Sequence, residues 1–360
     1  MDNEKNIYEN LRKHLDKHPT GAPDAPEIIE ILRSLFTPEE ALLATHTPFR
    51  PKSTAEIAKR AGVSEEEAKV RLESLADKGL VYAREKDGKW GYALLPIMPG
   101  IFEFPYMRGF KDETLKRIAP LWESYLRKHA KEMSNLGVSF ARVIPIQEEV
   151  ESEPKVLTYE RVYELIEQAK VVGIAHCACR TAFENCEAPR EACMLFDETC
   201  KYLVDRGFAR YIEKDEMKRL LREMDELGLV HSINNSKDRL QFICNCCSCC
   251  CGFLRAIREF NAPGILANSG FEPFLDPELC TGCATCEDRC PMDAIKIEED
   301  LPVFSREKCI GCGLCATGCS TDAIEMRKRE EQPFVPESMP EMGRIILEKR
   351  GKLEEFIKEM

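Results

Sequence analysis

The stretch FICNCCSCCCG, residues 242–252, constrains this chain more than any other. Cys244, Cys246, Cys247, Cys249, Cys250 and Cys251 fall within eight positions. A hydrophobic core has no use for that density of sulfur, whereas thiolates packed this closely suit a soft, thiophilic metal. The run lies between HCACRTAFENCEAPREAC (176–193) and a downstream pair of four-cysteine runs (280–319). All 19 cysteines fall between Cys177 and Cys319. An odd count leaves one thiol over in any disulfide scheme, and the N-terminus MDNEKNIYEN lacks the apolar core of an export signal. The sequence therefore predicts a reduced, cytoplasmic setting.

The 360 residues suit two or three domains. No apolar run reaches the roughly 18 residues needed to span a bilayer. The net charge of −12, from 51 basic and 63 acidic residues, opposes non-specific nucleic-acid binding, which depends on Lys and Arg releasing counterions.

In chain order, apolar spacing predicts helices over 6–17 and 26–36, and a third begins at Thr37-Pro38. From 53 the order is helix, Gly62 turn, helix with a Ser64/Glu67 capping box, then a hairpin at Asp87-Gly88. This order resembles a winged helix-turn-helix domain over 26–96. The start of its second helix, Glu65, Glu66 and Glu67, would aim carboxylates at phosphate. Protein docking is the better use. Residues 96–110 read as packed loop and 112–133 as a helix that Pro120 kinks or breaks. Thr158 caps the next helix, and VVGIA is a buried strand ending at His176. A helix spans 214–227. Strands at 229–233 and 239–243 form a hairpin, the second delivering the chain into Cys244.

The downstream runs carry the most specific signal. CTGCATCEDRCP is C-x2-C-x2-C-x3-C-P, and CIGCGLCATGCS repeats it with Ser320 in place of Pro. The pair resembles a two-cluster bacterial ferredoxin over 276–327. The resemblance implies crossed ligation, the fourth cysteine of each run serving the other cluster. One [4Fe–4S] cluster then takes Cys280, Cys283, Cys286 and Cys319, and the other takes Cys309, Cys312, Cys315 and Cys290. From 272 to 300, nine carboxylates stand against Arg289 and Lys296, a solvated surface that also suits steering of a basic redox partner.

Eleven cysteines remain. Cys177 and Cys179 make a C-x-C pair on extended chain. With 191–204 helical, Cys193 and Cys200 share a face. Cys177, Cys179, Cys186 and Cys193 are the predicted upstream ligands, with Cys200 as core or reserve. Neighbouring side chains diverge on extended backbone, so the six-cysteine run can divide between two sites or complete an upstream one. One or two further iron–sulfur clusters are expected here, with zinc as the alternative. Arg180 is a candidate cofactor contact, against an ordinary salt bridge. His176 and His231 read as strand-end histidines bonded to backbone.

Together, CACR, GLVH, CNCCSCCC and the dicluster runs resemble a group of 4Fe–4S ferredoxin-type proteins of anaerobic bacteria and archaea. The resemblance implies electron transfer and brings no substrate. The predicted fold is α+β multidomain. It comprises a helical, winged-helix-like domain (1–110), a helical linker (111–157), a cysteine-rich α/β domain (158–265), a bacterial dicluster ferredoxin fold (270–330) and a tail helix (331–360). The leading reading is a relay to a partner redox protein. An iron–sulfur reductase with its active site at Cys177–Cys251 is the alternative, and a redox-sensing regulator comes third. No G-x-G-x-x-G follows a strand to suggest a nicotinamide or flavin site.

Overall fold

The computed structural model describes residues 2–145 and 159–359. The cap predicted at Thr158 lies outside them. Helices Asp2–Leu15, Pro26–Leu35 and Pro38–Thr45 come first. Thr37 and Glu40 form a reciprocal cap, each side chain accepting from the other's backbone N–H. Helix Thr54–Ala61 ends at Gly62, whose φ of 68° is left-handed, and helix Glu65–Asp77 follows with the Ser64/Glu67 box in place. Strands β1 (Val81–Lys86) and β2 (Lys89–Leu94) then pair antiparallel, with Lys86 opposite Lys89. Asp87 and Gly88 both have positive φ, as a two-residue hairpin turn requires.

Helix Glu113–Ser134, capped by Asp112, is unbroken at Pro120. Ile118, Trp122 and Tyr125 are buried on either side of the proline. That stripe outweighs the roughly 3 kcal/mol an interior proline costs.

A seven-stranded sheet is the centre of the molecule. Its strands are β3 (Ala141–Val143), β4 (Val172–His176), β5 (Glu191–Phe196), β6 (Ala209–Ile212), β7 (Val230–Asn234), β8 (Phe242–Cys246) and β9 (Leu266–Ala267). Their spatial order is β6-β4-β5-β8-β7-β3-β9, antiparallel except for β3 with β9. Three expectations are corrected. The stretch 111–157 is not wholly helical, since β3 lies in it. The stretch 191–204 is strand β5 followed by helix Asp197–Asp205. Both alternating sets of β5, Ala192, Met194 and Phe196 with Cys193 and Leu195, are covered, because β5 is central in the sheet. The hairpin's second strand starts at Phe242 and runs to Cys246, so Cys244 and Cys246 ride on the strand rather than following it.

Strand alternation then sorts the side chains. Ile174, Met194, Ile243 and Ile233 form one cross-strand row, and they share a core with Val162, Ile166, Met217 and Leu221 of helices Tyr159–Gln168 and Lys214–Glu226. Ala175, Cys193, Cys244 and Ser232 form the row on the other face. Cys200, on the helix after β5, is fully buried, and burial pushes its thiol up to about 12. A Cβ at Gly173 would lie 2.6 Å from Cys200 Sγ and 2.8 Å from the Arg210 carbonyl oxygen. Gly173→Ala is therefore expected to cost about 1–3 kcal/mol. The readout is a lower thermal midpoint at unchanged metal content, and a midpoint equal to wild type would refute this packing.

The C-terminal part pairs β10 (Phe271–Leu275) with β13 (Ile324–Lys328), and β11 (Ile295–Glu298) with β12 (Leu301–Phe304). The tail folds as helices Met339–Arg350 and Leu353–Glu359 and packs on the body. Met342, Ile346 and Leu347 are buried, and Arg350 donates to the carbonyl oxygens of Asp16 (3.0 Å) and His18 (2.6 Å). Among the described residues, no helix is long and apolar enough to cross a membrane.

Candidate metal centres

Two small cavities lie in the C-terminal part, each about 20 Å³. Cys280, Cys283, Cys286 and Cys319 line one, and Cys290, Cys309, Cys312 and Cys315 line the other. The grouping follows the crossed sets inferred from the repeat. Four thiols converging on a void with hydrogen-bond donors behind them fit a 4Fe–4S cluster. The Ala294 N–H lies 3.2 Å from Cys290 Sγ, and the N–H groups of Thr321, Ala323 and Ile324 point at Cys319. Gly311, at φ 70°, admits no Cβ: one would lie 2.2 Å from Ser269 Oγ and 2.4 Å from the Phe271 carbonyl oxygen. The two cavities differ in setting. Cys283 is exposed, whereas Cys290, Cys309 and Cys312 pack against the apolar core that also holds Cys246 and Cys251.

The upstream cysteines separate into two groups and one remainder. Cys186, Cys247, Cys249 and Cys250 gather with all four sulfurs within 4.8 Å of one another. Cys186 Sγ lies 3.8 Å from Cys247 Sγ and 3.9 Å from Cys250 Sγ, and Cys249 lies 3.9 Å from Cys250. Those three separations are close to the edges of about 3.8 Å that four sulfurs at about 2.3 Å from one ion would have. A four-iron cube holds its thiolates further apart, one at each of four irons.

The second group is formed by Cys177, Cys179, Cys193, Cys244, Cys246 and Cys251. Cys193 stands opposite Cys244 across β5 and β8, and Cys246 is two residues along on the same face. Thiol contacts run from Cys193 to Cys244, to Cys246 and on to Cys251, while Cys179 contacts Cys177 and feels Cys251. Cys177 keeps the extended backbone that the sequence suggested, at the N-cap position of helix Ala178–Phe183, but Cys179 lies within that helix. Likewise Cys251 caps helix Gly252–Phe260. The predicted set of Cys177, Cys179, Cys186 and Cys193 is thus divided, Cys186 joining the turn 247–250. Neighbouring thiols and burial push Cys244, Cys246 and Cys251 well above the ordinary range. A bound metal reverses that direction, because a coordinating thiol is deprotonated outright.

Arg180 stands between the two groups. It is 1% exposed, donating to the carbonyl oxygens of Pro189 (2.7 Å) and Asn245 (2.5 Å) and to Cys247. Its Nε is buried with no hydrogen-bond partner among the described residues. The Cys250 hydrogen bond and the guanidinium bring Cys247 down to about 4. The Cys179 hydrogen bond and Arg180 bring Cys177 down to about 7. Among the described residues Arg180 pairs with no carboxylate, so the ordinary salt bridge weighed from the sequence is not found there; its contacts are carbonyls and thiols. His231 Nδ1 meets Asn245 Oδ1 at 2.6 Å on the face away from Cys244. Burial lowers it to about 4. Asn245 also donates to the Ala192 carbonyl oxygen at 2.8 Å, locking β8 to β5. The sequence reading passed over Asn245, although its place between Cys244 and Cys246 marks it as the residue facing the other way. His176 packs its ring over Gly109.

On the cysteine-bearing face, a cavity of about 270 Å³ separates the sheet from the helical N-terminal half. Cys193, Leu195, Phe242 and Cys244 line its sheet side, and Glu103, Phe104 and Leu126 lie across from them. Burial raises the Glu103 carboxyl to about 7 from an ordinary 4.5. The neutral form is favoured in the folded state, so the penalty is absent below pH 4.5, grows up to about pH 7 and is constant above. Glu103→Gln is expected to stabilise the protein above pH 7 by up to about 3 kcal/mol, with no gain near pH 4. Denaturant titrations at the two pH values check it.

Residues 272–320 match the family model described as a 4Fe-4S dicluster domain. No curated protein and no solved structure matches the chain. The matched span and the gathered thiols make this an iron–sulfur protein carrying 4Fe–4S chemistry in its C-terminal part.

Proposed function

We propose that the protein is an iron–sulfur electron carrier whose dicluster part feeds the upstream cysteine centres and, through them, a redox partner protein. The observation that carries this is the shared packing: the Cys290 set rests on the same core as Cys246 and Cys251, while the Cys280 set reaches solvent at Cys283. When bound, 4Fe–4S clusters accept and give up single electrons. The chain's own residues hold the thiolates, exclude water from the inner set and set the field at the outer one. Asp276, Glu278, Asp288, Glu298, Glu299 and Asp300 are exposed near the Cys280 set, a surface suited to a basic partner. The helix–turn–helix–hairpin unit, with Glu65, Glu66 and Glu67 exposed at its second helix, serves as a protein-docking module in this reading. Its acidic tip disfavours duplex DNA.

The sulfur spacing of Cys186, Cys247, Cys249 and Cys250 favours one thiolate-bound ion there, zinc or a single iron. The six-thiol group is then the upstream iron–sulfur centre. Anaerobic metal and acid-labile sulfide analysis tests both assignments. Cys186→Ser is expected to lose about one metal ion per chain and no labile sulfide. A loss of sulfide with the metal would sink the single-ion assignment. Colourless wild-type protein holding zinc alone would sink the whole reading.

A further inference from the structure

We propose that the cavity between Glu103 and the Cys193/Cys244 pair is a binding site for a small, uncharged, largely apolar molecule with one carbonyl-type acceptor. Protein interiors close around most voids larger than a water molecule, and this one stays open at about 270 Å³. Ligand sites of about 300–1,000 Å³ with apolar walls and a few polar groups favour such junctions between packed units. Leu126, Phe104 and Met98 supply apolar wall, which gives ordered water little to bond.

The polar groups at the wall narrow the ligand's chemistry. Thr20, Tyr82, Thr199, Gln241, Tyr202 and His129 reach the cavity beside Glu103; of these, Tyr202 Oη donates to the Val81 carbonyl oxygen (3.0 Å) and His129 Nε2 meets the Thr20 carbonyl oxygen (2.7 Å). The Glu103 carboxyl is pinned at the wall, its Oε2 accepting from the Gly100 N–H at 2.7 Å. Burial favours its protonated form, in which it can donate to a carbonyl oxygen. The same burial disfavours a charged guest. Across the cavity stand two thiols of the six-cysteine group, so a bound molecule would lie beside the upstream centre. That placement rests on the metal assignment made for Cys193 and Cys244, whereas the cavity itself does not.

The test uses anaerobically purified, metal-loaded full-length protein and 6-propionyl-2-dimethylaminonaphthalene, an uncharged aromatic ketone. Equilibrium dialysis is expected to show one saturable site per chain. Leu126→Trp fills the cavity and Glu103→Ala removes the polar anchor. Each is expected to weaken binding by about tenfold or more at unchanged metal content. In wild type, the ketone is expected to shift the paramagnetic signal of the upstream centre. Absence of saturable uptake overturns the proposal, as does wild-type affinity in both variants. If Leu126→Trp fails to load metal, Glu103→Ala carries the decision. Binding lost in the variants but silent in every paramagnetic signal rejects the placement beside a metal at Cys193 and Cys244, and leaves the cavity standing.

Discussion

Replacing Cys290 with alanine is expected to damage the buried centre of the dicluster part, although Cys290 belongs to the run that builds the exposed one. Cys290 lines the cavity of Cys309, Cys312 and Cys315, so one iron of that cube loses its protein thiolate. Cys319→Ala is expected to do the converse, because Cys319 lines the cavity of Cys280, Cys283 and Cys286. The two centres can be told apart by access. A water-soluble paramagnetic relaxant reaches the centre beside the exposed Cys283 and not the one packed on the core. In Cys290→Ala, the unaltered signal should be the one the relaxant quickens, and in Cys319→Ala the one it does not. Electron delivery to the upstream thiols should stop in Cys290→Ala. The reverse pattern would mean that each run ligates its own cluster.

Arg180→Met is expected to be the most damaging single change in the upstream part. The side chain has nearly the right length but no charge and no donors. Removing one partner of a buried charged network costs about 3–5 kcal/mol, and here two carbonyl oxygens and the thiolate of Cys247 lose their donor together. Cys177 and Cys247 also lose the positive charge that favours their thiolates. Iron is expected to fall toward the roughly eight per chain that two 4Fe–4S clusters hold, with a lower thermal midpoint. Arg180→Lys is expected to rescue little, since an ammonium cannot span both carbonyl oxygens as a planar guanidinium does. Full upstream metal in Arg180→Met would remove Arg180 from the account.

Much of this was readable from the residues because it was local. Ser64 with Glu67, Thr37 before Pro38, and Asp87-Gly88 each specify a cap or turn within four positions, and each is found as described. The cysteine repeat likewise states its own spacing. The upstream grouping was not readable, because sheet topology decides it. Nothing in HCACRTAFENCEAPREAC says that Cys193 will face Cys244 across two strands, or that Cys186 will meet the turn after Cys246. A helix over 191–204 would have put Cys193 and Cys200 on one face, but burial on both sides of a central strand makes the first part of that stretch β5. Alternation did contain the division of the six-cysteine run: Cys244 and Cys246 point together, and the turn that follows turns Cys247, Cys249 and Cys250 elsewhere.

The contrast between an exposed Cys283 and a buried Cys315 has a consequence under air. Oxygen and peroxide arriving from solvent meet the outer cube first, because sulfur oxidation follows exposure. In the electron-carrier reading, that cube would act as a fuse, corroding before the interior sulfur does and disconnecting the supply of reducing power while the deeper centres are still intact.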